Sequence, residues 1–175
     1  MTSTISETVT GERADLVETL GQHRFFLRFT ARELDDDQAR RRTTASELTI
    51  GGLIKHVTYC EQNWARFIVD GPSVLPAGDD PEAFAAHADS FRMGPDETLA
   101  GLLARYEEVA ATTDELVRSL PDLDASQPLP EAPWFVPGAR WSARRVLLHV
   151  IAETAQHAGH ADIVRESLDG AKTMG

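Results

Sequence analysis

The chain has a single cysteine, Cys60, among its 175 residues. No intrachain disulfide can form and no cysteine cluster can hold zinc, so a reducing cytoplasmic setting is expected. Basic residues are also in short supply: 17 lysines and arginines stand against 28 aspartates and glutamates, a net charge of -11. That balance disfavours polyanionic partners, and neither a nucleic acid nor an anionic membrane surface is expected. No stretch approaches the roughly 20 apolar residues of a membrane span. The opening residues, MTSTISETVT, carry neither a basic segment nor an apolar run, so no signal peptide is expected. Internal repeats and low-complexity segments are missing as well. What is present is ordinary for a globular chain, 42% hydrophobic and 26% charged. One domain over residues 1–175, long enough to bury a core, is the expectation.

Helical periodicity dominates. A first helix is predicted from Gly11 to about Leu34, with Leu16, Leu20, Leu27 and Leu34 on one face and His23 and Arg24 near its middle. The DDD and RRR runs that follow read as a solvated connector. A second helix starts near Ser46 and ends before Gly71, striped by Leu53, Val57, Cys60, Trp64 and Phe67. Gly51 and Gly52 weaken it by about 1 kcal/mol each relative to alanine, but the pair would permit close approach of another element. Residues 71–95 are loop-rich, with a short helix around Pro81–Phe91 that carries His87 without an obvious partner. A third long helix follows Pro95, its positive end suited by Asp96 and Glu97, and stops at Pro121. Residues 121–141 hold Pro121, Pro128, Pro130, Pro133 and Pro137, with Trp134, Phe135 and Trp141 to anchor them. So long a connection is either a plain crossover or a functional lid.

The last helix, Ser142 to Gly170, is the most informative. Ser142 suits its cap, Gly170 suits a left-handed stop, and Val146, Leu147, Val150, Ala158, Ala161 and Val164 recur at helical spacing. Four long helices without a convincing strand make an all-α four-helix bundle, and the long connections after helices two and three allow parallel neighbours.

On that last helix His149, Glu153, His157 and His160 fall within a sector roughly 80° wide. Glu153 and His157 are four residues apart, so both can reach one ion. Two ligands from one helix leave a third to come from elsewhere, and His56, beside the apolar stripe of the second helix, is the natural candidate. Two imidazoles and a carboxylate are a catalytic type of metal set, leaving positions open for water or substrate. Zn²⁺, Ni²⁺ or Fe²⁺ would suit it. His149 or His160 could equally replace Glu153 or act behind a ligand, and spacing does not choose among these pairs. Cys60, one turn after His56, reads as a small core residue, with a nucleophile or fourth ligand as the minor reading.

Three motifs carry a resemblance: SELTIGGLIKHVTYCEQNW in the second helix, RWSARRVLLHVIAETAQHAGHADIVRE in the fourth, and LDDDQARRRTTASEL between the first two. They resemble the DinB-like/YfiT-like superfamily of metalloenzymes, and within it the branch with mycothiol-dependent S-transferases and the metal-binding domain of mycothiol-dependent maleylpyruvate isomerase. The resemblance spans nearly the whole chain. It implies a four-helix bundle of unusual topology with one divalent metal at one end of the core. Where many members use three histidines, Glu153 takes the middle place here. The implied ligands are therefore His56, Glu153 and His157, with His149 and His160 as neighbouring pocket residues in a catalytic, proton-moving role. Arg24 resembles a recurring residue of that superfamily, although a helix-surface arginine is the expected reading.

The implied activity is transfer. A metal-bound low-molecular-weight thiol, mycothiol in this branch, becomes a thiolate at neutral pH and attacks an electrophilic small molecule. A metal-dependent hydrolase is the alternative, with Glu47, Glu61 or a spare histidine as base. A metal-stabilised binding or stress protein without enzymatic activity is the third reading. Dimers are common among proteins of this kind, so a homodimer is one expected state.

Overall fold

The structure is a computed structural model, and it describes residues 10–76, 78 and 80–173. All but Thr10 of the polar N-terminal stretch lies outside the described residues. Among the described residues there are six α-helices: α1 (Glu12–Thr30), α2 (Asp36–Arg40), α3 (Ile50–Asp70), α4 (Pro81–Ser90), α5 (Leu99–Ser119) and α6 (Ala143–Asp169). Two three-residue strands, β1 (Ser126–Pro128) and β2 (Arg140–Ser142), pair antiparallel with Gln127 opposite Trp141.

Local chemistry sets these bounds. Ser142 accepts a hydrogen bond from the Arg145 N–H at the start of α6, and Gly170 ends it in the left-handed conformation at φ 80°. Thr49 and Thr98 cap α3 and α5 in the same way. The cap at Thr98 leaves Glu97 outside α5, where its carboxylate holds the Gly94 N–H and Lys55.

The acidic run is not a solvated connector. Asp35 and Gln38 form a reciprocal capping box, and the single turn of α2 buries Ala39. Asp36 accepts from the Leu99 N–H, closing the start of α5, while Arg40 donates to the Gly94 and Glu97 carbonyls. The proline-rich connection before α6 is ordered by the β1–β2 ribbon, a feature missed in the sequence because each strand is only three residues long.

End-to-end contacts give the helix directions. Arg144 pairs with Glu12 at one end of α1 and α6, and Arg165 donates to the Thr30 and Arg32 carbonyls at the other, so these helices run parallel. Arg13 reaches the Val117 and Leu120 carbonyls and Arg28 reaches Glu107, so α5 runs against α1. His56 meets His157 and Trp64 meets His149, so α3 runs against α6. The four long helices are thus up-down-down-up, and α3 and α5 are parallel neighbours across the long 71–98 connection.

Two apolar clusters fill the bundle. One contains Leu27, Ile50, Ile54, Val57, Tyr106 and Val164, and the other Leu16, Leu20, Val117, Leu147 and Val150. Between them in sequence on each helix lie Arg24, Glu61 and Asp114. Arg24 donates to Glu61 at 2.5 Å and to Asp114 at 2.7 Å. Arg24 is only 4% exposed, so the surface-arginine reading is corrected: it neutralises a carboxylate that is itself fully buried.

Candidate metal centre and its cleft

His56 sits on the second turn of α3, buried, with its ring stacked 3.6 Å from Phe91. Its Nδ1 lies 2.9 Å from Ser90 Oγ. The Ser90 hydroxyl donates its own proton to the His87 carbonyl at 2.6 Å, so it accepts from His56 Nδ1–H. That bond leaves the His56 Nε2 lone pair free and turned inward. Burial holds the His56 pKa down at about 4, with His157 and His87 adding to the effect, so the imidazole is neutral at pH 7.

From α6, Glu153 lies between His157, whose Nε2 is 3.5 Å from Oε2, and His149, whose Nε2 is 3.9 Å from Oε1. The hydrogen bond from His157 keeps the Glu153 carboxyl below its usual range against the opposing effect of burial, so it is ionised. The His56 and His157 rings meet edge to face at 4.9 Å. His160 Nδ1 lies 3.3 Å from His157 Nδ1, on the far side of that ring from Glu153. Within the His/Glu row, Glu153 and His149 face the same space and His157 adjoins Glu153, while His160 stands behind His157; His56 joins Glu153 from the antiparallel helix.

The geometry brings in Cys60, a minor reading of the sequence, and His87, which had no partner there. Donor atoms of His56, Cys60 and Glu153 lie within 4.8 Å of one another. The Cys60 Sγ is 3.4 Å from His56 Nε2, yet burial, with help from Glu153, pushes the thiol up to about 12. Without an ion the Cys60 thiol is therefore neutral, while the Glu153 carboxylate and the His56 Nε2 offer lone pairs outright. A neutral His56 with a fixed tautomer, an ionised Glu153 and an adjoining His157 fit a divalent cation. His87 also lies here, edge-on to His56 at 5.3 Å. Its role was invisible because α4 reaches the site only through tertiary packing. Two of the bases expected for hydrolysis are elsewhere, Glu61 committed to Arg24 and exposed Glu47 facing Arg42 and Arg92, whereas the third, a spare histidine, is present in the cleft as His149.

A cleft of about 370 Å³ opens beside these donors. His56, Cys60, His149 and Glu153 form its base, and Phe84, Trp134 and Phe135 its outer walls. Burial lowers the His149 pKa, Arg145 lowers it further and Glu153 opposes both. A hollow of about 440 Å³ between α3 and α5 is lined instead by Arg66, Asp70, Arg105 and Glu108 and contains none of these donors.

The helical bundle and the family match together place the chain in the DinB-like class. More narrowly, it belongs to the mycothiol-S-transferase family, whose model it matches over residues 15–170. Two solved structures share the fold. A conserved protein from Enterococcus faecalis is 13% identical with a TM-score of 0.67, the match covering 93% of this chain and 100% of that one. YfiT from Bacillus subtilis, described as a probable metal-dependent hydrolase with an unusual four-helix bundle topology, is 17% identical with a TM-score of 0.64, covering 90% of this chain and 89% of that one. Comparison with curated proteins gives no significant match. No helix among the described residues is long and apolar enough to cross a membrane.

Proposed function

We propose that the protein is a metal-dependent transferase that activates a low-molecular-weight thiol, mycothiol, for attack on an electrophilic small molecule in the cytoplasm. Its metal ligands are His56, Glu153 and His157. The observation that carries this reading is the approach of His56 and Glu153, from two antiparallel helices, at the base of an open cleft, with His157 packed beside both. Membership of the mycothiol-S-transferase family supplies the thiol. A bound Zn²⁺, or Ni²⁺ or Fe²⁺ in its place, supplies the charge that makes a thiolate available at neutral pH.

The chain's own residues do the rest. Ser90 and Phe91 hold the His56 imidazole in one tautomer and one orientation. His149, neutral and on the cleft wall, accepts the proton from the thiol S–H. The sulfur then forms a bond to the electrophilic carbon, and the leaving group departs with its electron pair. His160 does not line the cleft, and it positions His157 through the Nδ1 contact.

The test is metal analysis of His56→Ala, Glu153→Ala and His157→Ala beside the parent protein, combined with turnover measured with and without thiol. Loss of the ion from each variant and strict thiol dependence are expected. Cobalt substitution should give a sulfur-to-metal charge-transfer band when mycothiol is added. Full metal occupancy in the variants would reject the ligand set, and ester or amide turnover without thiol would put a hydrolase in place of the transferase.

A further inference from the structure

The cleft has two unlike halves. Its base is the donor cluster; its mouth is apolar and aromatic. Phe84 on α4 and Trp134 on the proline-rich connection face each other edge to face at 6.1 Å. They are 50% and 54% exposed, two large rings left in water opposite one another. From Trp134 a chain of ring contacts runs inward, through Phe135 on the cleft wall at 6.1 Å and Trp141 behind it at a further 5.8 Å. Trp64, stacked on Trp141 at 4.9 Å, then meets His149 edge-on at 4.9 Å. Leu75, Pro76 and Pro130 add apolar wall between these rings. Among the described residues no lysine or arginine lines the cleft; its formal charges are the carboxylates of Asp80 at the mouth and Glu153 at the base.

We propose that this mouth selects the electrophile, taking a ring-bearing molecule whose distal end is uncharged or cationic and whose reacting carbon points inward. The proposal rests on the transferase reading and names the substrate class of that same site. Exposed aromatic side chains gain most by covering a flat apolar ring, through burial and edge-to-face contact. A distal carboxylate would meet Asp80 and find no cation to pair with, whereas a distal ammonium would meet both Asp80 and the faces of Phe84 and Trp134. The polyol body of the thiol does not fit this wall, because its hydroxyls would leave water for surfaces with few hydrogen-bonding groups. With an arylmethyl halide, the sulfur–carbon bond forms as the carbon–halogen bond breaks, halide leaves with the electron pair, and the thiol proton ends on His149.

The experiment is calorimetric titration of the full chain, as purified and again after zinc loading, with naphthylmethanol and with its analogue carrying a carboxylate at the far ring edge. Naphthylmethanol should bind about tenfold more tightly than the carboxylate, and Trp134→Ala or Phe84→Ala should each weaken it by about tenfold. Both side chains are half exposed, so melting temperature and metal content should match the parent. Equal or tighter binding of the carboxylate would overturn the proposal, as would unchanged binding in both variants. Displacement of naphthylmethanol by the sugar portion of mycothiol, lacking its sulfur, would assign the wall to the thiol and overturn it too. These titrations contain no thiol, so their failure leaves the transferase reading intact. Rings that bind while bromomethylnaphthalene shows no thiol-dependent turnover would sink the transferase reading and leave the cleft assignment standing.

Discussion

His56 shows how much one buried imidazole can determine. Its folded pKa of about 4 lies below the ordinary histidine value of 6.5, so in metal-free protein the unfolded chain binds the extra proton between those values. The sign follows: stability from this group is complete above pH 6.5 and is lost as pH falls toward 4. The full loss is about 3 kcal/mol. Urea titrations of chelator-treated protein at pH 7.5 and about 4.5 should differ in that direction, and His56→Gln should flatten the difference. Arg24 permits a second residue-level prediction. Arg24→Met leaves the Glu61 carboxylate buried without its partner, at a cost of about 3–5 kcal/mol in chemical denaturation, and adding Glu61→Gln should recover much of it. The contrast between these residues explains what could be read in advance. His149, Glu153, His157 and His160 share a helix, so spacing alone gathers them. Arg24 and Glu61 lie 37 residues apart on different helices, and nothing local to Arg24 marks it as buried.

At the scale of elements, α6 was legible from end to end because its cap, its left-handed stop and its apolar stripe are all local signals. The short α2 carried an equally local signal in the Asp35–Gln38 box, but it was masked by the surrounding charge runs. The β1–β2 ribbon had none, since its pairing joins residues on either side of a proline-rich turn. The paired glycines of α3 were ambiguous in the sequence, and the structure resolves them by what lies opposite. A Cβ on Gly52 would run into the carbonyl of Phe91, the residue whose ring covers His56; one on Gly51 would meet the flexible Met93 side chain at 2.5 Å and the Ala39 carbonyl oxygen at 3.2 Å. Gly52→Ala should therefore push the end of α4 away from α3, costing about 1–3 kcal/mol. It should also loosen the metal site, because Ser90 and Phe91 move with that end. Melting curves read the first effect and metal affinity the second; an unperturbed affinity would separate the Phe91 clamp from metal binding.

On the scale of the whole molecule, the up-down-down-up order was beyond sequence reading, because long connections permit parallel neighbours without choosing them. The consequence is nevertheless mechanical. α3 and α6 run antiparallel and are joined in sequence only through α4, α5 and two long connections, so a cation held by His56 on one and by Glu153 and His157 on the other ties together segments far apart in the chain. Such an ion binds the folded state and has no assembled site in the unfolded one. By mass action it stabilises the fold by about 2.7 kcal/mol at a hundred times its dissociation constant. For a chain of this size that corresponds to a rise in melting temperature of roughly 5–10 °C. Stripping the ion with chelator should lower the melting temperature by that amount, and adding Zn²⁺ back should restore it. Glu153→Ala should melt at one temperature with or without the ion, because the carboxylate that balances the cation's charge is gone. A variant whose melting temperature still rises on adding Zn²⁺ would place the stabilising ion elsewhere on this acidic surface, and would separate metal-linked stability from the proposed ligand set.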